Sequence, residues 1–175
     1  MAKIFLIRHG EPEICGVLLG QSDPSLSVVG REQAREALGD LRPSIVWTSP
    51  LRRATETAAV IAKARICERA ELREVDMGDW TGLTWKQIER SWDELARKKL
   101  ADWFGVPAPG GESWPVFLSR VQGAWEVIRR GPANAAVVAH QGVHAALRYL
   151  IDGRDPVEFR QQYCEVISLV YDPLD

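Results

Sequence analysis

The sequence predicts an α/β fold, a three-layer α/β/α sandwich whose central sheet is mostly parallel. Two observations predict it. Short apolar runs alternate with segments of helical character from one end of the chain to the other, the sequence form of repeated β-α-β units. Three of those runs also break off abruptly into polar clusters, FLIRHGE, VWTSPLRRA and VVAHQG. Strands of such a sheet behave this way where they reach its carboxyl rim.

The elements follow in order. Ile4 to Ile7 reads as a buried strand that stops at Arg8-His9-Gly10, and a loop of Pro, Gly, Ser and Asp runs from Glu11 to Leu26. Gly30 to Leu41 has helical composition and places Ala34, Leu38 and Leu41 on one face before Pro43. Ser44 to Thr48 is a second short strand. Ser49-Pro50 then reads as a helix start, with serine as N-cap and proline in the first turn, and the helix is expected to run through LRRATETAAVIAKA, residues 51–64. Ile66 to Glu74 reads as extended. Thr84 to Phe104 is charged, tryptophan-bearing and helical, and PAPGG (Pro107 to Gly111) is a loop. Ser113 to Arg130 is a helix with Pro115 in its first turn. Ala135 to Ala139 is the cleanest buried strand, Val143 to Ile151 a helix closed by Asp152-Gly153, and Glu165 to Tyr171 the last strand.

A length of 175 residues suits one domain spanning 1–175, with a candidate lid or insertion at about 79–113. Hydrophobic residues at 46% and charged residues at 26% exclude disordered and fibrous classes. A net charge of −2 argues against a nucleic-acid binder or polybasic membrane binder, although a local cationic pocket remains compatible with it. Three cysteines, Cys15, Cys67 and Cys164, form no CxxC pair, which argues against a disulfide framework or a cysteine zinc site. No stretch approaches the apolar length of a membrane span, and the first residues lack the core of a signal peptide, so a soluble, cytoplasmic protein is expected.

The three polar strand ends can converge although they lie far apart in sequence. Together they bring Arg8, His9, Arg52 or Arg53, and His140 to one rim, beside helix N-termini expected after Ser49 and after Gly142. Arg52 and Arg53 are adjacent and point in different directions, so at most one of them need reach the rim. Cations gathered with backbone N–H groups make an anion site, and phosphate is the commonest anion that needs several of each. Two histidines among the cations suggest chemistry beyond binding, because a neutral imidazole nitrogen can attack phosphorus. His140 and His144 have the i, i+4 spacing of metal ligands, but His140 ends a strand and no glutamate lies between them. That argues against zinc and assigns His144 to packing or support.

LIRHGE resembles the signature of the histidine phosphatase superfamily, the phosphoglycerate mutase-like proteins. The resemblance continues in family order through GQSDPSLSVVGREQA, TSPLRRATETA, LREVDMGDWTG, GGES followed by Arg120-Val121, and VVAHQG, from Lys3 to about Leu147. It implies that His9 is the nucleophile that becomes a phosphohistidine, and that Arg8 and Arg53 bind phosphate, with Arg52 the exposed neighbour. His140 would stabilise the transition state, and Glu74 would protonate the leaving oxygen and later activate water. Such a glutamate needs a pKa raised by burial. Arg8, Arg53 and a protonated His140 could together supply the positive charge, so neither metal nor cofactor is expected.

The chain departs from the family pattern in three places. The Trp-Asn that often follows RHGE, whose asparagine touches phosphate, is absent from Glu11-Pro12-Glu13-Ile14-Cys15-Gly16. Gln21 stands where many members carry arginine and would bind substrate without adding charge. Gln141 follows His140 where the acid phosphatase and phytase branch carries aspartate, which leaves Glu74 as proton donor and suits Gln141 to a backbone N–H contact with substrate. Five of the seven tryptophans lie between Trp80 and Trp114; they suit core packing, or, for Trp85, Trp92 or Trp103, a lid over the pocket.

The expected function is hydrolysis of a small organic phosphate ester, and α-ribazole phosphatases are the size-matched members the chain resembles. A phosphoglycerate mutase is the alternative enzyme, and a non-catalytic phosphate-binding protein the second alternative. The expected partner is the small-molecule ester, on a monomer or homodimer.

Overall fold

The computed structural model describes residues 1–61 and 64–173. Five strands form one sheet in the order β3-β2-β4-β1-β5. They are β1 (Ala2–Arg8), β2 (Ile45–Thr48), β3 (Arg65–Glu68), β4 (Asn134–Ala139) and β5 (Val166–Tyr171). The first four pair in parallel, and β5 closes the edge beside β1 in antiparallel sense. The three-layer architecture is as the sequence predicts. On one face α5 (Trp114–Ile128) and α6 (Gln141–Asp152) pack Phe117, Val121, Ile128, Val143 and Leu147 against Ile4, Leu6 and Val137. On the other, α1 (Val28–Leu38) and α2 (Arg52–Ala58) pack Ala34, Leu38, Ala54 and Ala58 against Ile7, Val46 and Val138. Both faces of the inner strands are covered, which is why β4 reads as an uninterrupted apolar run.

Several boundaries differ from the sequence reading. The first helix begins two residues before Gly30, because the Ser27 hydroxyl accepts from the Gly30 N–H at 2.9 Å and sets the cap there, and it ends at Leu38. The helix expected from Ser49 starts only at Arg52, with Leu51 as its cap and no side-chain capping bond. The Ser49 hydroxyl accepts from the Leu51 N–H at 3.3 Å and lies 2.9 Å from His140 Nε2, so it holds the turn before the helix instead of capping its first turn. That helix ends at Ala58, where Val60 and Ile61 turn back to Thr57 and Ala58 in the tighter i→i−3 pattern. The expected continuation over residues 62–63 lies outside the described residues, as do residues 174–175 of the predicted domain. The extended segment is β3 alone, and a 3₁₀ turn at Ala70–Leu72 follows it.

The predicted helix over 84–104 is two helices, α3 (Trp85–Ser91) and α4 (Asp93–Ala101), broken at Trp92 where the backbone leaves helical geometry. Thr84 and Gln87 cap the first reciprocally, so its start is set locally. These helices enclose a small core of their own around Met77, Trp80, Ile88, Ala96 and Ala108. Finally, α6 starts at Gln141, with His140 as its cap residue. No helix among the described residues is long and apolar enough to cross a membrane.

His144, on α6, is fully buried, and its Nδ1 lies 2.7 Å from Gln161 Oε1. The Gln161 amide nitrogen donates to the carbonyls of Leu6 and Glu165, so this contact stitches α6 to the edge of the sheet. Burial pushes the His144 pKa from 6.5 down to about 4. An unfolded chain therefore binds a proton there that the folded chain refuses between those two values, and stability falls as the pH drops from 6.5 towards 4. The shift corresponds to roughly 3 kcal/mol. Urea denaturation at pH 7 and pH 4.5 is expected to show a loss of stability on acidification that is smaller in His144→Gln by about that amount. Equal losses in the two proteins would remove His144 from the account.

Candidate active site

Strand register assembles the site. Arg8 pairs with Ala139, and Thr48 with Val138, so β1, β2 and β4 reach the carboxyl rim together. The His9 N–H donates to Ala139 O at 3.0 Å, and the Ser49 N–H donates to Val138 O at 3.1 Å. One residue further on, the rings of His9 and His140 stand 5.1 Å apart between centroids. Gly10 tightens this corner, since a Cβ there would lie 2.6 Å from the Gly30 carbonyl oxygen at the start of α1.

His9 is nearly inaccessible, with 5% of its surface exposed. Its Nδ1 lies 2.8 Å from Gly10 O. A carbonyl can only accept, so Nδ1 carries the proton and the lone pair resides on Nε2. Burial above all, then the Arg53 guanidinium, holds the His9 pKa well below its ordinary value, and the ring is neutral. Both conditions suit a nucleophile.

Arg53 projects from the first turn of α2 and is 1% exposed. It donates to Ser22 O at 2.6 Å and Gly20 O at 2.9 Å, tying down the loop that precedes α1. Its neighbour Arg52 turns outward to Glu56. Arg8 donates to Gln161 O at 2.6 Å, lies 3.4 Å from Gln141 Oε1, and lays its guanidinium 4.3 Å from the centroid of Tyr163.

Glu74 follows the 3₁₀ turn after β3. Its carboxylate accepts from the N–H groups of Val75 and Gly142 at 3.0 and 3.2 Å. A Cβ at residue 142 would lie 2.4 Å from Glu74 Oε1, so a larger residue there would push the carboxylate off α6. Burial raises the Glu74 pKa, against the two N–H bonds and Arg53, which lower it. Behind it, the Arg120 guanidinium on α5 donates to the carbonyls of Glu71, Arg73 and Glu74 and to both carboxylate oxygens of Glu112. The sequence displays GGES and Arg120 without showing a role for them; they splint the Glu74 segment.

His140 is fully buried. Its Nε2 meets Ser49 Oγ, and its Nδ1 has no partner among the described residues. Burial first, then His9 and Arg53, keeps its pKa well below the ordinary value. Without a dianion beside it His140 is therefore neutral and the two arginines carry the positive charge; the protonated His140 expected from the sequence would form where a phosphate dianion came within hydrogen-bonding reach.

A cavity of about 520 Å³ lies over the site, and His140 stands behind its wall beside His9 without lining it. Arg8, His9, Arg53, Glu74 and Gln141 line it; Gln21 does not. The Gln21 amide instead donates to Glu74 O at 3.2 Å, so it braces the carboxylate segment. Gln141 opens α6, where helical N–H groups have no intrahelical acceptor. Of the three lid tryptophans only Trp103 reaches the cavity; Trp85 packs edge-on and Trp92 tilted against Trp80, at 5.9 and 6.2 Å between centroids. Tyr163, Gln161 and Arg160 carry no signal in the sequence, because each sits in a loop whose position only the folded chain defines; Ser49 is legible as a helix-start residue but not as the partner of His140. Among the described residues, no group of three or more His, Cys, Asp or Glu side chains could hold a metal ion.

The family model described as histidine phosphatase superfamily (branch 1) matches residues 4–174. Phosphoserine phosphatase 1 of Hydrogenobacter thermophilus is 32% identical over 178 residues, covering 96% of this chain and 84% of its own. A 2,3-bisphosphoglycerate-dependent phosphoglycerate mutase of a Chelativorans species is 30% identical over 190 residues, covering 96% and 90%. Among solved structures, the α-ribazole phosphatase of Shigella flexneri superposes with a TM-score of 0.81 at 26% identity, covering 95% of this chain and 89% of that one.

Proposed function

The chain belongs to the histidine phosphatase superfamily and is a phosphatase of that type, and on that premise we propose that it hydrolyses a small organic phosphomonoester through a phosphohistidine. The free Nε2 of a neutral His9, held in one tautomer beside Arg53 and Glu74, carries the reading. In the first step Nε2 attacks phosphorus as the P–O bond to the alcohol breaks, and Glu74 gives its proton to the departing oxygen. In the second, water attacks the phosphohistidine, the Glu74 carboxylate takes the water proton, and inorganic phosphate leaves with His9 restored. Arg8, Arg53 and His140, the last protonated as the dianion arrives, neutralise the oxygens of the transferring group, and the Gln141 N–H can join them. The charge needed in the transition state thus comes from side chains, without a metal.

Phosphoserine, glucosyl phosphoglycerate and α-ribazole 5′-phosphate are substrate types that the names of relatives suggest, and α-ribazole 5′-phosphate, with its aromatic base, suits the aromatic wall at Trp103 and Phe104. The segment at 79–113 supplies that wall from its own small core and serves as a cover for the site.

Phosphate release from a panel of monoesters is expected to continue in excess chelator, and alkaline quench during turnover is expected to trap an alkali-stable, acid-labile phosphoenzyme. Loss of release on chelation, or no trapped intermediate, would overturn the proposal. Transfer between the hydroxyls of a phosphoglycerate without net release would instead favour the mutase chemistry.

A further inference from the structure

The cavity is chemically two-sided. Its hydrogen-bonding side chains, Arg8, His9, Arg53, Glu74, Gln141 and Tyr163, gather at the strand ends, with Tyr163 stacked 5.8 Å from the His9 ring. The rest of the wall comes from the loop before α1, the end of α4 and the segment before β5. It includes Leu18, Leu100, Trp103, Phe104, Val157 and Phe159. On this outer side, Arg160 is the single charged lining residue among those described, and its guanidinium is turned onto the carbonyls of Val157 and Phe159 at 2.8 Å each.

The aromatic wall is built in advance. The buried Lys99 ammonium donates to the carbonyls of Trp103 and Val106 and lies 4.9 Å from the Trp103 ring centroid. Phe104 packs on Trp114 at 4.7 Å.

We infer that the alcohol half of the substrate carries an apolar or aromatic group, and that this outer wall, with Arg160 at its edge, discriminates against amino-acid phosphates and against sugar phosphates that lack such a group. The inference deepens the phosphatase reading of the same cavity and rests on it. The ammonium of phosphoserine would meet three guanidinium groups, and outside the phosphate end its carboxylate would find only Arg160, already donating to two backbone carbonyls. Among the described lining residues the one carboxylate, Glu74, is the group whose proton the reaction uses. Sugar hydroxyls would be stripped of water against carbon surface, with few side chains to replace the lost hydrogen bonds. A phenyl or alkyl group gains from the same burial and needs no reorganisation of the wall.

The test compares four primary alkyl esters: 2-phenylethyl phosphate, ethyl phosphate, O-phosphoserine and glucose 6-phosphate. kcat/KM for the phenylethyl ester is expected to exceed that of each of the others by about tenfold or more. Leu100 and Val157 are exposed enough, at 60% and 44%, to accept aspartate without loss of packing. Leu100→Asp and Val157→Asp are each expected to shrink the phenylethyl-to-ethyl ratio several-fold. A preference for phosphoserine or glucose 6-phosphate, or a ratio that neither substitution moves, overturns the inference. Calorimetry with 2-phenylethylphosphonate and ethylphosphonate separates the two readings, since it needs no turnover. Tighter binding of the phenyl compound with no ester hydrolysed sustains the apolar subsite and sinks the phosphatase; equal binding with esters hydrolysed does the reverse.

Discussion

His9→Ala is expected to reduce phosphate release by about 10⁴-fold or more, the scale on which removing a covalent nucleophile acts. No other group among the described cavity residues stands ready to replace it. Glu74 is held by two backbone N–H groups, its pKa raised by burial, and His140 is fully buried with Nε2 on Ser49. The substitution removes a ring whose one hydrogen bond runs to the adjacent Gly10 carbonyl, so the strand ladder and the Arg53 anchor are left in place. Affinity for inorganic phosphate, measured by calorimetry, is therefore expected to stay within a few-fold of the parent. Retained turnover would transfer the nucleophile's role elsewhere. Loss of turnover together with phosphate binding would mean that the ring's contribution is structural.

Glu74→Gln is expected to lower kcat by about 10³-fold on alkyl esters, within the range for general acid catalysis, and by far less on p-nitrophenyl phosphate. The difference arises because an alkoxide needs a proton to leave and a nitrophenolate does not. Glutamine can still accept from the Val75 and Gly142 N–H groups through its carbonyl oxygen, so the side chain keeps its place. Its activity on alkyl esters should also lose the alkaline limb that deprotonation of Glu74 imposes; burial raises that pKa, which keeps the acid form present towards neutrality. A uniform loss across good and poor leaving groups would assign Glu74 to positioning alone.

Much of this site is legible in the sequence because its chemistry sits where strands end. His9 and His140 follow apolar runs, and the hydrogen-bond ladder converts that sequence fact into a ring separation of 5.1 Å. Arg53 can be separated from Arg52 only by resemblance, since both lie in one helical turn; burial of one and exposure of the other settles their directions. Gln21 misleads because its type and position suggest a substrate contact, whereas its amide is satisfied by Glu74 O. Serine before proline is a strong local start signal for the helix after Ser49, but the hydroxyl takes the Leu51 N–H and the His140 imidazole, and the helix begins only at Arg52. Tyr163 and Arg160 carry no local signal: they belong to a connection with no periodicity, before an edge strand that runs antiparallel to its neighbour.

The backbone pairing of Arg8 with Ala139 acts as a ruler. It fixes the gap between the two imidazoles to the spacing of a peptide ladder, which side-chain replacement elsewhere cannot stretch. The chain can thus diversify its appetite for alcohols by rewriting the connections around Leu100 and Val157, while the phosphorus-handling end stays dimensionally constant. Recognition and reaction are in this sense separately inheritable properties of one chain.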